Sequence, residues 1–311
     1  MKTRLAIWII LLCCGDVLLA QRSLAPQTSQ YMFSGQLINP AYSGSREVLS
    51  IAFTGRKQWI GVEGAPWDIS AGANFPLFKN NFGVGFLARH EQSPDLSTTE
   101  GSADFNGRIN LSDKGKVSLG IRTTFGSYRN TFTGELQNSL DPGFAEGLEP
   151  LNEFNLGAGI FYYTNKLYFG VSVPRLLEVG RKLQVALGDT ITKTGFYNYN
   201  YLITGGAYFK LNEKAHLKPS FLVSYQQASG VSFDINCSLV LGEDDDVWIG
   251  ASYRSSNSVI AIMEFQVHQF KVGLSWDFPL GMRGINNWGS PEYFMRKDFD
   301  NKIYTGRPMF F

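Results

Sequence analysis

"VSFDINCSLVL" (residues 231–241) decides how this chain folds. Val231, Phe233, Ile235, Cys237, Leu239 and Leu241 fall on one phase, and Ser232, Asp234, Asn236 and Ser238 on the other. A period of two is that of a β-strand, whose successive side chains point to opposite faces. This strand therefore has one apolar and one polar face.

The pattern repeats along the chain. In "KVSLGIRTTFGS" (116–127), Val117, Leu119, Ile121 and Phe125 oppose Ser118, Gly120, Arg122 and Thr124. "KLYFGVSV" (166–173) and "QFKVGLSWDF" (269–278) do the same. In "NFGVGFLARHE" (81–91), Phe82, Val84, Phe86 and Ala88 oppose Gly83, Gly85, Arg89 and Glu91, with Leu87 the one exception. Candidate strands run near 46–59, 66–76, 81–92, 98–111, 115–128, 153–163, 166–174, 195–211, 214–226, 231–241, 246–254, 258–267, 269–278 and 291–299. That is about fourteen, many of ten residues or more, and transmembrane strands need about 9–11 where soluble ones average about 5–6.

An antiparallel sandwich shares this alternation, so the connections supply a second test. Counting strands in order, every even-to-odd connection is short: 78–81, 112–115, 164–165, 212–214, 242–246 and 268–269. The long ones, 129–152, 175–194 and 279–290, are all odd-to-even. Outer-membrane barrels sort their connections this way, with short periplasmic turns and longer outer loops. An even strand count also returns both termini to the periplasm. The polar face carries both signs of charge, including Asp68, Arg89, Asp104, Arg108, Arg122, Asp234, Glu264 and Lys271, which suits a lumen holding paired charges and water. Glycines on that face let strands curve and pack closely. Trp59, Trp67, Tyr162, Tyr199, Trp276 and Tyr293, near strand ends, suit interfacial girdles. The fold class is all-β: a transmembrane antiparallel β-barrel of about fourteen strands.

Composition agrees. Among 311 residues there are 28 basic and 27 acidic ones, a net charge of +1. No basic excess marks a nucleic-acid partner. Lys2, Arg4 and the apolar run 5–14 read as a secretory signal, with cleavage expected after Ala20. Two of the three cysteines lie in that signal, leaving Cys237 alone and no internal disulfide. No later run of about 18 apolar residues offers a transmembrane helix. The expected organisation is a signal peptide (1–20), an N-terminal periplasmic segment (21–45), the barrel (46–299) and a tail (300–311).

Catalytic and metal-binding patterns are weak. His90, His216 and His268 have no spacing that builds a triad, and G-x-S-x-G is missing. The acids at 243–246 are consecutive, unlike the alternating oxygen ligands of a calcium loop. Neither a cofactor nor an enzyme activity is expected. The 129–152 loop mixes Phe132, Leu136, Leu140 and Phe144 with acids, and either docks a partner or folds over its own mouth.

One stretch does not alternate: "QYMFSGQLINPAYSGSRE" (30–47). It is too apolar for a solvated linker. Thr28 or Ser29 is placed to cap a short helix carrying Phe33 and Leu37 on one side, and Asn39-Pro40 to stop it. The segment is expected at the periplasmic mouth, as a partial plug or as a docking face.

The region from residue 30 onward also resembles the PorP/SprF family of type IX secretion system membrane proteins. Gln30, Tyr31 and Met32, the run Asn39-Pro40-Ala41-Tyr42-Ser43-Gly44, then Arg56, Gln58 and Trp59, and Gly64-Ala65-Pro66 carry the resemblance. It implies an outer-membrane barrel of Bacteroidota that works with the type IX export and gliding apparatus. Such a protein binds periplasmic secretion components, or secretes or anchors one large cell-surface adhesin. Its other partner is outer-membrane lipid. Tyr31, Phe33, Leu37, Asn39, Pro40, Tyr42, Arg56, Gln58 and Trp59 are the candidate plug or partner-binding residues. A passive channel or small-molecule transporter is the alternative, since a mixed lumen charge permits it.

Overall fold

Alternating strands in hydrocarbon must have no open edge, because each unsatisfied backbone N–H or C=O there costs several kcal/mol. The computed structural model meets this requirement by closure. It describes residues 28–78, 80–94, 96–111, 115–130, 150–184, 190–195, 200–226, 230–242, 247–280 and 287–299, with 130, 178–184 and 190–195 as backbone only.

The strands are β1 Leu49–Lys57, β2 Trp67–Leu77, β3 Phe82–Gln92, β4 Leu96–Asn110, β5 Gly115–Asn130, β6 Leu151–Thr164, β7 Leu167–Gln184, β8 Thr190–Gly195, β9 Asn200–Ala207, β10 Phe209–Lys210, β11 Ala215–Gln226, β12 Gly230–Leu241, β13 Val247–Arg254, β14 Ser258–Val267, β15 Phe270–Pro279 and β16 Ser290–Phe299. β9 and β10 form one stave against β11, and β8 lies off the ring on the far part of β7. β1 pairs with β16 from Leu49↔Phe299 to Arg56↔Glu292, closing a 14-strand antiparallel barrel. Among the described residues no helix is long and apolar enough to cross a membrane.

Strand direction alternates, so the connections alternate between two rims. The β2–β3, β4–β5, β6–β7, β10–β11, β12–β13 and β14–β15 turns share one, the turn rim. The β1–β2, β3–β4, β5–β6, β7–β9, β11–β12, β13–β14 and β15–β16 connections share the other, the loop rim. The long connections therefore gather at the loop rim. One of them differs from expectation: much of 175–194 is strand, because β7 runs on to Gln184 and pairs back with β8. The expected strand 195–211 starts at Asn200 and breaks at Tyr208, and the first strand starts at Leu49 rather than near 46. Residues 1–27, 131–149, 243–246 and 300–311 lie outside the described residues, and with them the signal, most of the longest loop, the acidic run and the tail.

The two phases face where the alternation put them. Phe86 and Ile235 point outward and are 53% and 56% exposed, whereas Asp104 and Asn236 point inward and are buried. Trp67, Trp276 and Tyr293 face outward close to the loop rim, and Tyr162 close to the turn rim, as girdle residues do. Leu87, the exception on β3, points into the barrel, and something apolar waits for it there.

Candidate functional site

The chain ahead of β1 folds locally because of a few side chains. α1 is a single turn, Gly35–Ile38, closed by Asn39 N–H donating to the Gly35 carbonyl at 3.0 Å. The Asn39 side chain then accepts from the Ala41 N–H at 2.9 Å and opens a 3-10 turn, Pro40–Tyr42. Pro40 sits at its first position, where a missing N–H costs nothing. Gly44 (φ 74°) and Glu47 (φ 63°) reverse the chain into β1. Thr28 and Ser29 do not cap α1 as expected; Ser34 holds that place, without a side-chain bond.

This segment does not rest at one mouth. It runs the length of the lumen. Thr28–Gln30 lie beside Glu292, Asp277 and Arg56, at the loop-rim ends of β16, β15 and β1. Ser43–Glu47 lie beside Arg108, Asp298 and Lys116, at the turn-rim ends of β4, β16 and β5. The first and last described residues, Thr28 and Phe299, thus stand at opposite rims; the termini themselves, expected on one side, lie outside the described residues.

Three polar anchors hold it. At the loop rim, Ser29 Oγ donates to Asp277 at 2.7 Å and accepts from Arg56 at 2.8 Å, while Thr28 Oγ1 and the Ser29 N–H donate to Glu292 at 2.6 and 2.7 Å. Arg56 bridges Asp277 (2.6 Å) and Glu292 (3.1 Å), and Arg254 bridges Asp277 (2.8 Å) and Asp234 (2.7 Å). Midway, Arg122 binds Asp104 at 2.6 Å and donates to the carbonyls of Gln36 and Leu37, and Asp104 also accepts from Ser43 at 2.8 Å. At the turn rim, Arg46 meets Asp298 at 2.5 Å, and Asn106 and Arg108 both donate to the Ser43 carbonyl at 2.7 Å. Buried charges of this kind add little net stability beyond an apolar replacement. Losing one partner, however, costs several kcal/mol, so they fix the register of the segment in the barrel.

Apolar contacts fill the gaps between anchors. Phe33 packs edge-on to Trp248 (centroids 5.0 Å) and beside Phe294 (5.6 Å). Tyr31, Leu37 and Ile38 pack with Leu202 and Leu222, with Leu87 against them. Tyr42 meets Phe161 at 5.5 Å. Each such side chain contributes about 1.5–3 kcal/mol by leaving water. Phe33 and Leu37 therefore serve separate clusters rather than one helix face.

The inward glycines form the bed for the segment. A Cβ at Gly120 would stand 2.5–2.8 Å from backbone atoms of Ala41 and Pro40. Gly159 and Gly170 leave space for the Asn39 side chain, Gly85 for Ser43 and Gln36, and Gly273 for Gln30. Their role in this structure is close approach to a filling chain.

Between these anchors and contacts the segment packs closely against the inner wall. Three voids beside the segment have volumes of about 20, 10 and 10 Å³, room for roughly a single water each. Of the candidate residues, Tyr31, Phe33, Leu37, Asn39, Pro40, Tyr42 and Arg56 come together in the lumen. Gln58 and Trp59 do not. They lie in the β1–β2 connection, where Gln58 N–H donates to the Pro66 carbonyl and Trp59 N–H to Ser290 Oγ, bracing the loop rim. His90 is on the outer face bonded to Thr99, His216 stacks on Tyr208 inside, and His268 forms a turn. The acids and arginines of the polar face were visible in the sequence, but the inward Trp248, Phe294, Leu202 and Leu222 were missed. Their signal was an apolar residue on the polar phase, as at Leu87.

A protein-family model described as type IX secretion system membrane protein PorP/SprF matches residues 20–296. The chain belongs to the PorP/SprF family. The match covers the filling segment and nearly the whole barrel wall. No curated protein matches this PorP/SprF chain. Among solved structures it is similar to the CymD monoaromatic hydrocarbon channel (10% identity, TM-score 0.48, 88% of this chain and 94% of that one). It is also similar to the Pseudomonas putida toluene transporter TodX (10%, 0.47, 88% and 93%) and to BamA from Haemophilus ducreyi lacking POTRA domains 1–3 (9%, 0.43, 82% and 71%).

Proposed function

We propose that this PorP/SprF protein is a sealed outer-membrane barrel that serves type IX secretion as a docking component. On this reading it binds periplasmic secretion components, or secretes or anchors one large cell-surface adhesin, and is not a conduit for solutes. The turn rim faces the periplasm and the loop rim the outside, following the usual placement of short turns and long loops. The observation that carries the reading is the filled lumen: Thr28–Glu47 passes from rim to rim, anchored at three levels. A pore must leave a continuous wet path, and single-water voids do not supply one. A barrel so closed acts through its surfaces, and the rims are where its loops and turns meet other proteins. The test is affinity purification of the tagged barrel from gently solubilised membranes. Recovery of periplasmic secretion proteins or of one large surface protein is expected, and recovery of the barrel alone contradicts the reading.

A further inference from the structure

The outer wall is not uniform. Across β2–β5 its lipid-facing floor is made of small residues, Ala71, Ala88, Gly101 and Ala103, with Phe86 and Phe125 standing around them. They bound an open apolar groove of about 510 Å³. One step toward the loop rim, the outward side chains turn polar on four adjacent strands. His90 pairs in register with Thr99, Thr99 with Ser127, and Ser127 with Asn152. His90 Nδ1 and the Thr99 hydroxyl are 2.8 Å apart, and exposed Arg129 follows one step further, opposite Ser97. On this wall Trp67 is the girdle aromatic, its ring 5.3 Å from that of His90, whereas the other wall carries Tyr225, Tyr253, Trp276 and Tyr293 near the same rim.

We propose that this groove is a lipid site. It holds one acyl chain of a membrane lipid whose phosphorylated headgroup sits on His90, Thr99, Ser127 and Arg129. Position and charge select this occupant. The groove lies inside the hydrocarbon-facing belt, where water is excluded and its apolar lining gains dispersion from hydrocarbon. The row above it offers hydroxyl, imidazole and guanidinium donors and, among the described residues, no carboxylate, and a guanidinium matches phosphate in charge and geometry. Ordinary girdle aromatics would favour the interface without selecting an anionic headgroup.

The experiment is native mass spectrometry of the full chain released from detergent, with dioleoyl phosphatidate and dioleoylglycerol as probes of equal chain length. One phosphatidate is expected to stay bound, with dioleoylglycerol retained about tenfold more weakly because it lacks the charge. Ala88→Phe, which fills the groove, and Arg129→Glu, which reverses the row's charge, each lower phosphatidate retention by about tenfold. Both substitutions are on the outer surface and leave the heat-modifiable folded band in place. Equal retention of the two lipids overturns the proposal, as does undiminished phosphatidate on Ala88→Phe. Loss of a co-purifying outer-membrane protein from Ala88→Phe with lipid retention unchanged assigns the groove to that protein instead and also overturns it.

Discussion

The Ser29 hydroxyl and the Asp277 carboxylate are 248 positions apart in the chain and 2.7 Å apart in the fold. That bond ties the start of the filling segment to the end of the penultimate strand. Arg56, from the first strand, closes the same cluster.

Arg56→Ala leaves Glu292 without its arginine and Asp277 with only Arg254. Breaking a buried pair on one side costs about 3–5 kcal/mol. The variant is expected to lose its folded, heat-resistant gel mobility at a clearly lower temperature than the parent. An unchanged transition would mean that the cluster is solvated rather than buried.

Inward and outward glycines of the wall are not equivalent. Gly120→Ala forces a Cβ against the Ala41 and Pro40 backbone, whereas Gly101→Ala on the outer face meets nothing within 4 Å. Gly120→Ala should make the 28–47 segment susceptible to protease while the barrel persists, and Gly101→Ala should match the parent. Equal behaviour of the two would show that the segment does not press on the wall.

Benzoylphenylalanine placed at Phe33 or at Leu37 reports which strands each position meets. From Phe33 the crosslinks are expected on β13 and β16, through Trp248 and Phe294. From Leu37 they are expected on β9 and β11, through Leu202 and Leu222. Shared crosslinks from both positions would restore the single helix face that the spacing of these residues implies.

The segment enters from the loop rim. An epitope inserted just ahead of Thr28 is therefore expected on the same membrane face as one at Gly64, in the β1–β2 connection, and opposite one at Phe78, a turn-rim residue that is 75% exposed. Antibody access in intact and permeabilised cells reads this. Sidedness shared with Phe78 would put the entry at the wrong rim.

The wall was legible because alternation is a local property: Phe233 and Asp234 announce their faces without knowing what lies beyond them. The rim assignment was legible for the same reason, since connection lengths are read one hairpin at a time. The interior was not. An inward Asp104 or Arg122 reads alike whether it faces water or a carbonyl of Gln36, and the partner is more than 60 positions away in the case of Ser43 and Asp104. Inward glycines read as strand curvature, when Gly120 and Gly159 are space for the 28–47 segment. The apolar character of 30–47 marked it as no solvated linker, and left a plug and a docking face equally open. What buried it was written in single inward residues such as Leu87 and Trp248, which look like lapses in a pattern until the segment is laid against them.

Single-channel recording in a planar bilayer tests the sealed lumen most directly. The intact protein is expected to insert without steady ionic conductance, and removal of residues 28–46 to produce one. A steady, porin-like conductance from the intact protein would contradict the account.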